Sequence, residues 1–366
     1  GATWREKYAE HPYLNATINS LDIDLVPCYA VASATEIKSA VDRTPFHTRY
    51  ILAHIGGYAD DVLLCKQFAK AGGVYGSDHM TEGFSGYLCE ILTIHYGGFH
   101  ALIEAAARWK PGETIDIERH GTKQFEDPLV VIDPVDPERN VAAALSLSRM
   151  FEFVELARGY LAEPSLTFFC RPNSPPLTGE VFSRLLSARG THLYSMTFAT
   201  PDYTPDTVVP QLRKSAESVR ELLERSGFSA NRIDVCMGKE RCVILFELMA
   251  GEVPVMRRHI GPPVWSRENA EKFLAKYVQE EVFAGPYVED GRYVVEIARP
   301  FTRAVDLLRS KALFDVALGK HVRRSMKQGW TVKIGAECWD EEFAGFLSAF
   351  LERSSPLARI KRVTGR

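Results

Sequence analysis

Hydrophobic and polar positions change period several times along the chain, and each change predicts an element. Leu21, Ile23 and Leu25 alternate with Asp22 and Asp24, the period-two signature of a strand, before Val26-Pro27-Cys28-Tyr29 leaves the sheet. That alternation puts both aspartates on one face. Over residues 60–71 and again over 85–109 apolar residues recur at helical spacing, with a break at Gly72-Gly73 between them. The apolar run 129–132 predicts a strand. Asp136 then reads as a helix N-cap with Pro137 at the first helical position, which predicts a helix from near Glu138 toward Leu161. Pro164, Pro172, Pro175 and Pro176 predict a hinge. Beyond it, strands over 192–198 and 242–248 alternate with helices such as 210–225, an order that predicts α+β layers.

Composition narrows the class. A chain of 366 residues with 46% hydrophobic and 25% charged residues can build two or three cores. Its seven cysteines form no CxxC pair and no zinc-type ladder, so they read as free thiols of a reducing cytoplasm. No charged-then-apolar leader opens the chain, and no apolar run approaches the roughly 20 residues that span a bilayer, so secretion and membrane insertion are not expected. The net charge of −3 argues against indiscriminate coating of nucleic acid. Basic residues nevertheless cluster at Arg257-Arg258-His259, at His321-Val322-Arg323-Arg324 with Lys327, and at Arg359, Lys361, Arg362 and Arg366. Such clusters are ordinarily solvated faces unless the fold unites them.

Two carboxylates at i and i+2 of a strand can share one metal ion or flank two, although an acidic edge strand looks the same. His11, His47, His95 and His100 are too dispersed to suggest a metal cluster. Longer runs are more telling. Tyr8-Ala9-Glu10-His11-Pro12-Tyr13, Asp24-Leu25-Val26-Pro27-Cys28-Tyr29 and Ser39-Ala40-Val41-Asp42-Arg43-Thr44-Pro45-Phe46-His47 are followed by Val74-Tyr75-Gly76. Gly83-Phe84-Ser85-Gly86-Tyr87-Leu88-Cys89-Glu90 comes next, then Asp133-Pro134-Val135-Asp136 leading to Arg139-Asn140-Val141-Ala142. No single hexamer is specific, but in this order and spacing the chain resembles the archaeal (class I) CCA-adding enzymes over essentially its whole length.

The resemblance implies an α+β multidomain protein: a remnant of a polymerase β-type nucleotidyltransferase head over 1–58, a helical neck over 59–171, and an α+β, tRNA-binding body and tail over 172–366. It implies a cytoplasmic tRNA nucleotidyltransferase that adds CCA to the tRNA 3′ end from CTP and ATP, with Mg2+ and without a nucleic-acid template. By position Asp24 matches the family's third carboxylate, catalytic and metal-bound, whereas Asp22 stands where the family is loosely acidic. The family's Gly-Ser motif and DxD pair would lie before Gly1, so the chain reads as a fragment expected to be inactive alone. Thr44, His47, Lys66 and Tyr75 match residues around the triphosphate, and Arg139 matches the arginine at the incoming base. Each has a plain alternative: a helix-starting cap at Thr44-Pro45, a solvated Lys66, a turn aromatic at Tyr75, and an ion pair of Arg139 with Asp133 or Asp136. In a first helical turn Arg139 would oppose the macrodipole by about 0.3–1 kcal/mol, so helix stability would not explain it. Phe84, Tyr87 and Leu88 are expected to serve packing. Arg257 and Arg258 are the expected contacts to the acceptor and T arms of tRNA; no membrane partner is expected, and a homodimer is left open. Two alternatives are a non-catalytic tRNA-binding protein and a poly(A) or oligoadenylate-type nucleotidyltransferase. The Arg139 segment and the Thr44-Pro45-Phe46-His47 run favour CCA addition over the latter.

Overall fold

In the computed structural model the elements group into two compact units, Gly1–Ser174 with Ser354–Arg366, and Pro175–Arg353. The structure describes residues 3–8, 12–19, 21–121, 124–170 and 175–364. Ala9, Glu10 and His11 of the first matched run, the expected boundary at 171/172 and Arg366 lie outside the described residues.

The first unit opens with an antiparallel meander of β1 (Thr3–Tyr8), β2 (Pro12–Ile18) and β3 (Leu21–Leu25), in which Asn15 opposes Asp24 and Thr17 opposes Asp22. Helices α1 (Thr44–His54) and α2 (Ala59–Gly72) follow, the latter ending at Gly73 with φ of 75°. The helical pattern expected over 85–109 is divided between two helices, α3 (Gly86–Tyr96) and α4 (Phe99–Ala106). Gly97 and Gly98 between them have φ of 76° and 122°, a region open to glycine at little steric cost, and the chain turns there.

Strand β4 (Glu113–Ile115) pairs parallel to β5 (Leu129–Asp133), and β6 (Asp136–Asn140) returns antiparallel to β5. The helix expected from Glu138 is therefore a strand, and α5 (Leu147–Ala162) begins later, capped by Ser146 Oγ accepting from the Arg149 amide at 3.3 Å. Tertiary context decides this. Every residue of β5 is buried, and the Asn140 side chain accepts from the Val131 and Ala142 amides while donating to the Leu129 carbonyl and Asp127. The core around α2 to α5 centres on Phe68, whose ring meets those of Phe99 and Phe153 edge-on at 5.6 Å.

The second unit comprises α6 (Gly179–Arg189), β7 (His192–Ala199), α7 (Pro205–Arg225), β8 (Ala230–Met237), β9 (Arg241–Leu248) and β10 (Met256–Pro263). It continues with α8 (Arg267–Tyr277), β11 (Ala284–Glu289), β12 (Arg292–Ala298), α9 (Ala304–Arg309), α10 (Lys320–Gln328), β13 (Trp330–Ile334) and α11 (Ala344–Leu351). One sheet has the order β13-β7-β9-β8 and the other β10-β12-β11. Val208, Leu212, Ala216, Val219 and Leu223 of α7 recur at helical spacing and bury against the first sheet. That helix starts at Pro205, where a proline costs no hydrogen bond, and carries Pro210 inside it.

The final described helix, Pro356–Thr364, was expected with the body but groups with the first unit. Its Leu357 lies so close to Gly159 of α5 that a Cβ there would come within 2.4 Å of Leu357 Cδ1, and Ile360 joins the core. The structure is thus mixed α+β, and among the described residues no helix is long and apolar enough to cross a membrane.

Candidate functional site

Strand β5 ends on Asp133, whose side chain has no solvent exposure. Its Oδ2 accepts from Arg139 Nη1 at 2.7 Å and lies 3.0 Å from His47 Nε2; its Oδ1 accepts from the Tyr87 hydroxyl at 3.2 Å and the Val135 amide at 3.1 Å. Burial pushes the Asp133 carboxyl up, but the hydrogen bond and charge of His47, with the bonds from Arg139 and the Val135 amide, outweigh it and hold the group below the ordinary carboxylate range. An ionised carboxylate only accepts, so Nε2 of His47 carries the proton. The imidazole also stacks on the Tyr87 ring at 3.9 Å. Burial and then the Asp133 charge raise the Tyr87 phenol, which keeps it a donor. A neighbouring pair, Arg43 Nε to Asp136 Oδ2 at 2.7 Å, ties the residue before α1 to the start of β6.

Beside these pairs is a cavity of about 460 Å³, lined by Arg43, Ser77, Ser85, Arg139 and Asn140 among others. Ser85 caps α3, its Oγ accepting from the Leu88 amide at 3.1 Å. A Cβ on Gly86 would stand 3.2 Å from the Tyr75 hydroxyl and 3.8 Å from Lys66 Nζ, so phenol and ammonium meet at this helix start. Lys66 pairs with Glu90 at 2.6 Å; burial lowers its pKa, but Glu90 more than restores it and the ammonium stays charged. Helix-start amides with an added cation suit a phosphate. Thr44 is exposed at the first position of α1, one turn before His47 and on the same side.

Of the expected site residues, then, the structure brings His47 and Arg139 together on one carboxylate and Lys66 and Tyr75 together at α3. It does not join Asp24 to them by any hydrogen bond or ion pair among the described residues. Asp24 is exposed on β3, where Asn15 Nδ2 donates at 2.8 Å to it and at 2.8 Å to Asp22. The two aspartates are held alike, although the family resemblance singles out Asp24. Among the described residues no cluster of three or more His, Cys, Asp or Glu side chains could hold a metal ion. Arg139 sits on a strand and makes the ion pair with Asp133, so the macrodipole argument does not apply to it.

Arg257 and Arg258 are neighbours on β10 and therefore project to opposite faces of the strand. Arg258 pairs with Glu289 of β11, while Arg257 Nε is buried with no hydrogen-bond partner among the described residues. Tyr87 was expected only to pack, Asp133 and Asp136 only as alternative ion-pair partners of Arg139, with Asp136 also a helix cap, and Arg43 and Ser85 carried no assigned role. The available signal was Asp133-Pro134-Val135-Asp136 itself: acids following a fully apolar strand end are buried, and buried carboxylates need cationic or hydrogen-bonding partners.

Matches to known families define the class. Residues 60–170 match the family model "tRNA nucleotidyltransferase, second domain" and residues 189–335 the model "CCA-adding enzyme, C-terminal domain", so the chain is a tRNA nucleotidyltransferase. The CCA-adding enzyme of Methanoregula boonei is 58% identical over 359 residues, covering 98% of this chain and 78% of the relative. That of Methanosarcina acetivorans is 46% identical over 345 residues, 93% of this chain and 76% of the relative. The chain belongs to the CCA-adding enzyme family. A solved E. coli CdnC chain with ATP is similar at a TM-score of 0.32 and 15% identity, over 43% of this chain and 60% of that one, a likeness too slight to carry an argument.

Proposed function

We propose that CCA addition by this chain uses the cavity at the start of α3 as the nucleotide site, with His47, Lys66, Tyr75 and Thr44 toward the triphosphate and Arg139 toward the base. The observation that supports this reading is the convergence, in one unit, of His47 and Arg139 on a buried carboxylate next to a cavity that Arg139 and the α3 cap Ser85 line, with Lys66 and Tyr75 approaching Gly86 at the same helix start. Ammonium and hydroxyl are donors that phosphate oxygens accept, and with Nε2–H given to Asp133 the His47 ring would offer phosphate a second donor, Nδ1–H, in its imidazolium form. A planar guanidinium offers paired donors to acceptors on the Watson–Crick edge of cytosine or adenine. The tRNA 3′-hydroxyl then attacks the α-phosphorus; the new O–P bond forms as the bond to the leaving pyrophosphate breaks, and the hydroxyl proton passes to solvent water.

The same reading makes Asp24 the catalytic carboxylate and Mg2+ the divalent ion. Asp24 is exposed and presents a hard carboxylate oxygen, and magnesium takes one or two carboxylates and fills its shell with water and phosphate, so Asp24 fits as one of its ligands. When bound, the ion neutralises phosphate charge. The reading further takes residues to 58 as part of a polymerase β-type head, 59–171 as a neck and the following residues as body and tail, acting in the cytoplasm. Arg257 or Arg258, one on each face of β10, would meet the acceptor and T arms, where A-form RNA is gripped by backbone and shape; self-association is open to a sedimentation measurement.

Equilibrium binding of CTP, CMP and ATP tests the site. Lys66→Ala should weaken CTP far more than CMP, because Lys66 acts on the outer phosphates. Arg139→Ala should weaken CTP and CMP alike. Unchanged binding in both variants would remove the cavity from the nucleotide.

A further inference from the structure

We infer that Asp133 is a positioning residue for nucleotide selection, one buried carboxylate that orients both the guanidinium facing the base and the imidazole facing the triphosphate. This rests on the assignment of the cavity to the nucleotide. A carboxylate has about four acceptor sites. Arg139, His47, Tyr87 and Val135 supply four donors, so Asp133 is fully occupied. Its partners arrive from three separate elements, β6, α1 and α3, and from its own turn.

The division between the two oxygens matters. Val135 and Tyr87 hold Oδ1, and Tyr87 also stacks on the imidazole, so the carboxylate and the plane of His47 are fixed from one side. Arg139 and His47 share the other oxygen, Oδ2. Arg139 is 35% exposed while Asp133 is not exposed at all, so the bond reaches from the buried carboxylate to the cavity wall. Any shift of the guanidinium toward a wrong base loosens a charged bond in a water-poor setting, where an uncompensated carboxylate is costly. Because His47 leans on the same atom, a guanidinium drawn off line also unseats the imidazole. A base that fits therefore leaves the triphosphate donor in place, and a base that does not fit displaces it. A plain structural anchor between the β5–β6 turn and α1 would need neither the shared oxygen nor a partly exposed arm at the cavity.

The test is Asp133→Asn in the full chain, which keeps size and an acceptor but loses the charge. The preference for CTP over UTP and for ATP over GTP, read as ratios of dissociation constants, should fall at least about tenfold. Thermal midpoints are measured in parallel. On an Arg139→Ala background the same change should reduce the ratios little further, because the arm it orients is gone. Loss of stability with unchanged ratios would reduce Asp133 to a structural anchor and overturn the inference. Equal, independent effects of Asp133→Asn with and without Arg139 would overturn it too. If Arg139→Ala itself leaves the ratios unchanged, the nucleotide assignment of the cavity fails, a separate result that takes the inference with it. Should Asp133→Asn not fold, Tyr87→Phe removes one bond to Asp133 and keeps the ring. It should lower the same ratios by about twofold to fivefold; ratios equal to wild type would again overturn the inference.

Discussion

A buried carboxylate surrounded by donors and an exposed one sharing a single amide respond differently to the same isosteric change. Glu247 on β9 is of the first kind. It accepts from Arg189 Nε at 2.6 Å, Arg232 Nε at 3.0 Å, Thr191 Oγ1 at 2.7 Å and Asn231 Nδ2 at 2.8 Å. Burial pushes its carboxyl up, but these donors outweigh it and bring the group down to about 2. Its folded-state pKa thus lies below the unfolded value of about 4.3, so its stabilisation is complete above that value and is lost as pH falls toward 2. Glu247→Gln should cost the second unit about 3 kcal/mol near neutral pH, the low end for a broken buried pair because both arginines keep some solvent contact. Chemical denaturation measures this. The wild-type advantage should shrink in acid, and an advantage equal at about pH 7 and pH 3 would contradict the linkage. Asp24 is of the second kind, so in a chain that carries the family's Gly-Ser and DxD segment Asp24→Asn should leave folding nearly untouched yet abolish CMP and AMP addition, with tRNA affinity retained. Asp22→Asn should do much less. Equal losses would follow the symmetric hold of Asn15 and withdraw the special role of Asp24.

Period alone located β3, α2, β7 and β9 because each is a locally uniform pattern bounded by turn residues. It failed where two readings share one signal. Asp136-Pro137 can open a helix or a strand, and only the burial of β5 and the side chain of Asn140 select the hairpin. Gly97-Gly98 sits inside an apolar helical pattern, and only its left-handed backbone reveals the break. Asn140 offers a test of the hairpin as an element. Asn140→Ala strands the Val131 and Ala142 amides, at about 1–3 kcal/mol for each buried group left unpaired. Hydrogen exchange of those two amides should accelerate more than that of the α5 backbone, and CTP binding should weaken because Arg139 precedes Asn140 on the same strand. Amides as protected as in wild type would mean that the backbone pairing of β5 and β6 holds the hairpin without this brace.

Across the molecule, the candidate site was legible only through the resemblance, since its defining pairs, His47 with Asp133 and Arg43 with Asp136, lie 86 and 93 residues apart, beyond the reach of any local period. The basic clusters show the converse, a local signal that the fold redistributes. Arg323 donates to the Phe314 and Val316 carbonyls, and Arg359 to that of Ser354, so each braces backbone. On β10, an edge strand, Arg257 lies on the face of His259, whose ring meets Phe273 and Tyr277 of α8; Arg258 lies on the other face, half-exposed beside Glu289. Phosphate contacts release counterions, so tRNA affinity falls with salt in proportion to the phosphates neutralised. An RNA backbone lying on either face of the strand meets one of the two guanidinium groups. Replacing both by Ala should therefore flatten the salt slope by about one unit rather than two. Arg258→Ala alone should reproduce nearly all of that, while Arg257→Ala should act mainly on the stability of the β10–β12 sheet. Glu289→Gln, which frees Arg258, should steepen the slope. An acceptor–T-arm minihelix should behave like whole tRNA, and different tRNAs should be affected alike, because backbone contacts hold little sequence information. CTP binding should not change, since the residues lining the cavity all belong to the first unit. A two-unit flattening would show both arginines reaching phosphate, and an unchanged slope would return the cluster to an ordinary solvated face.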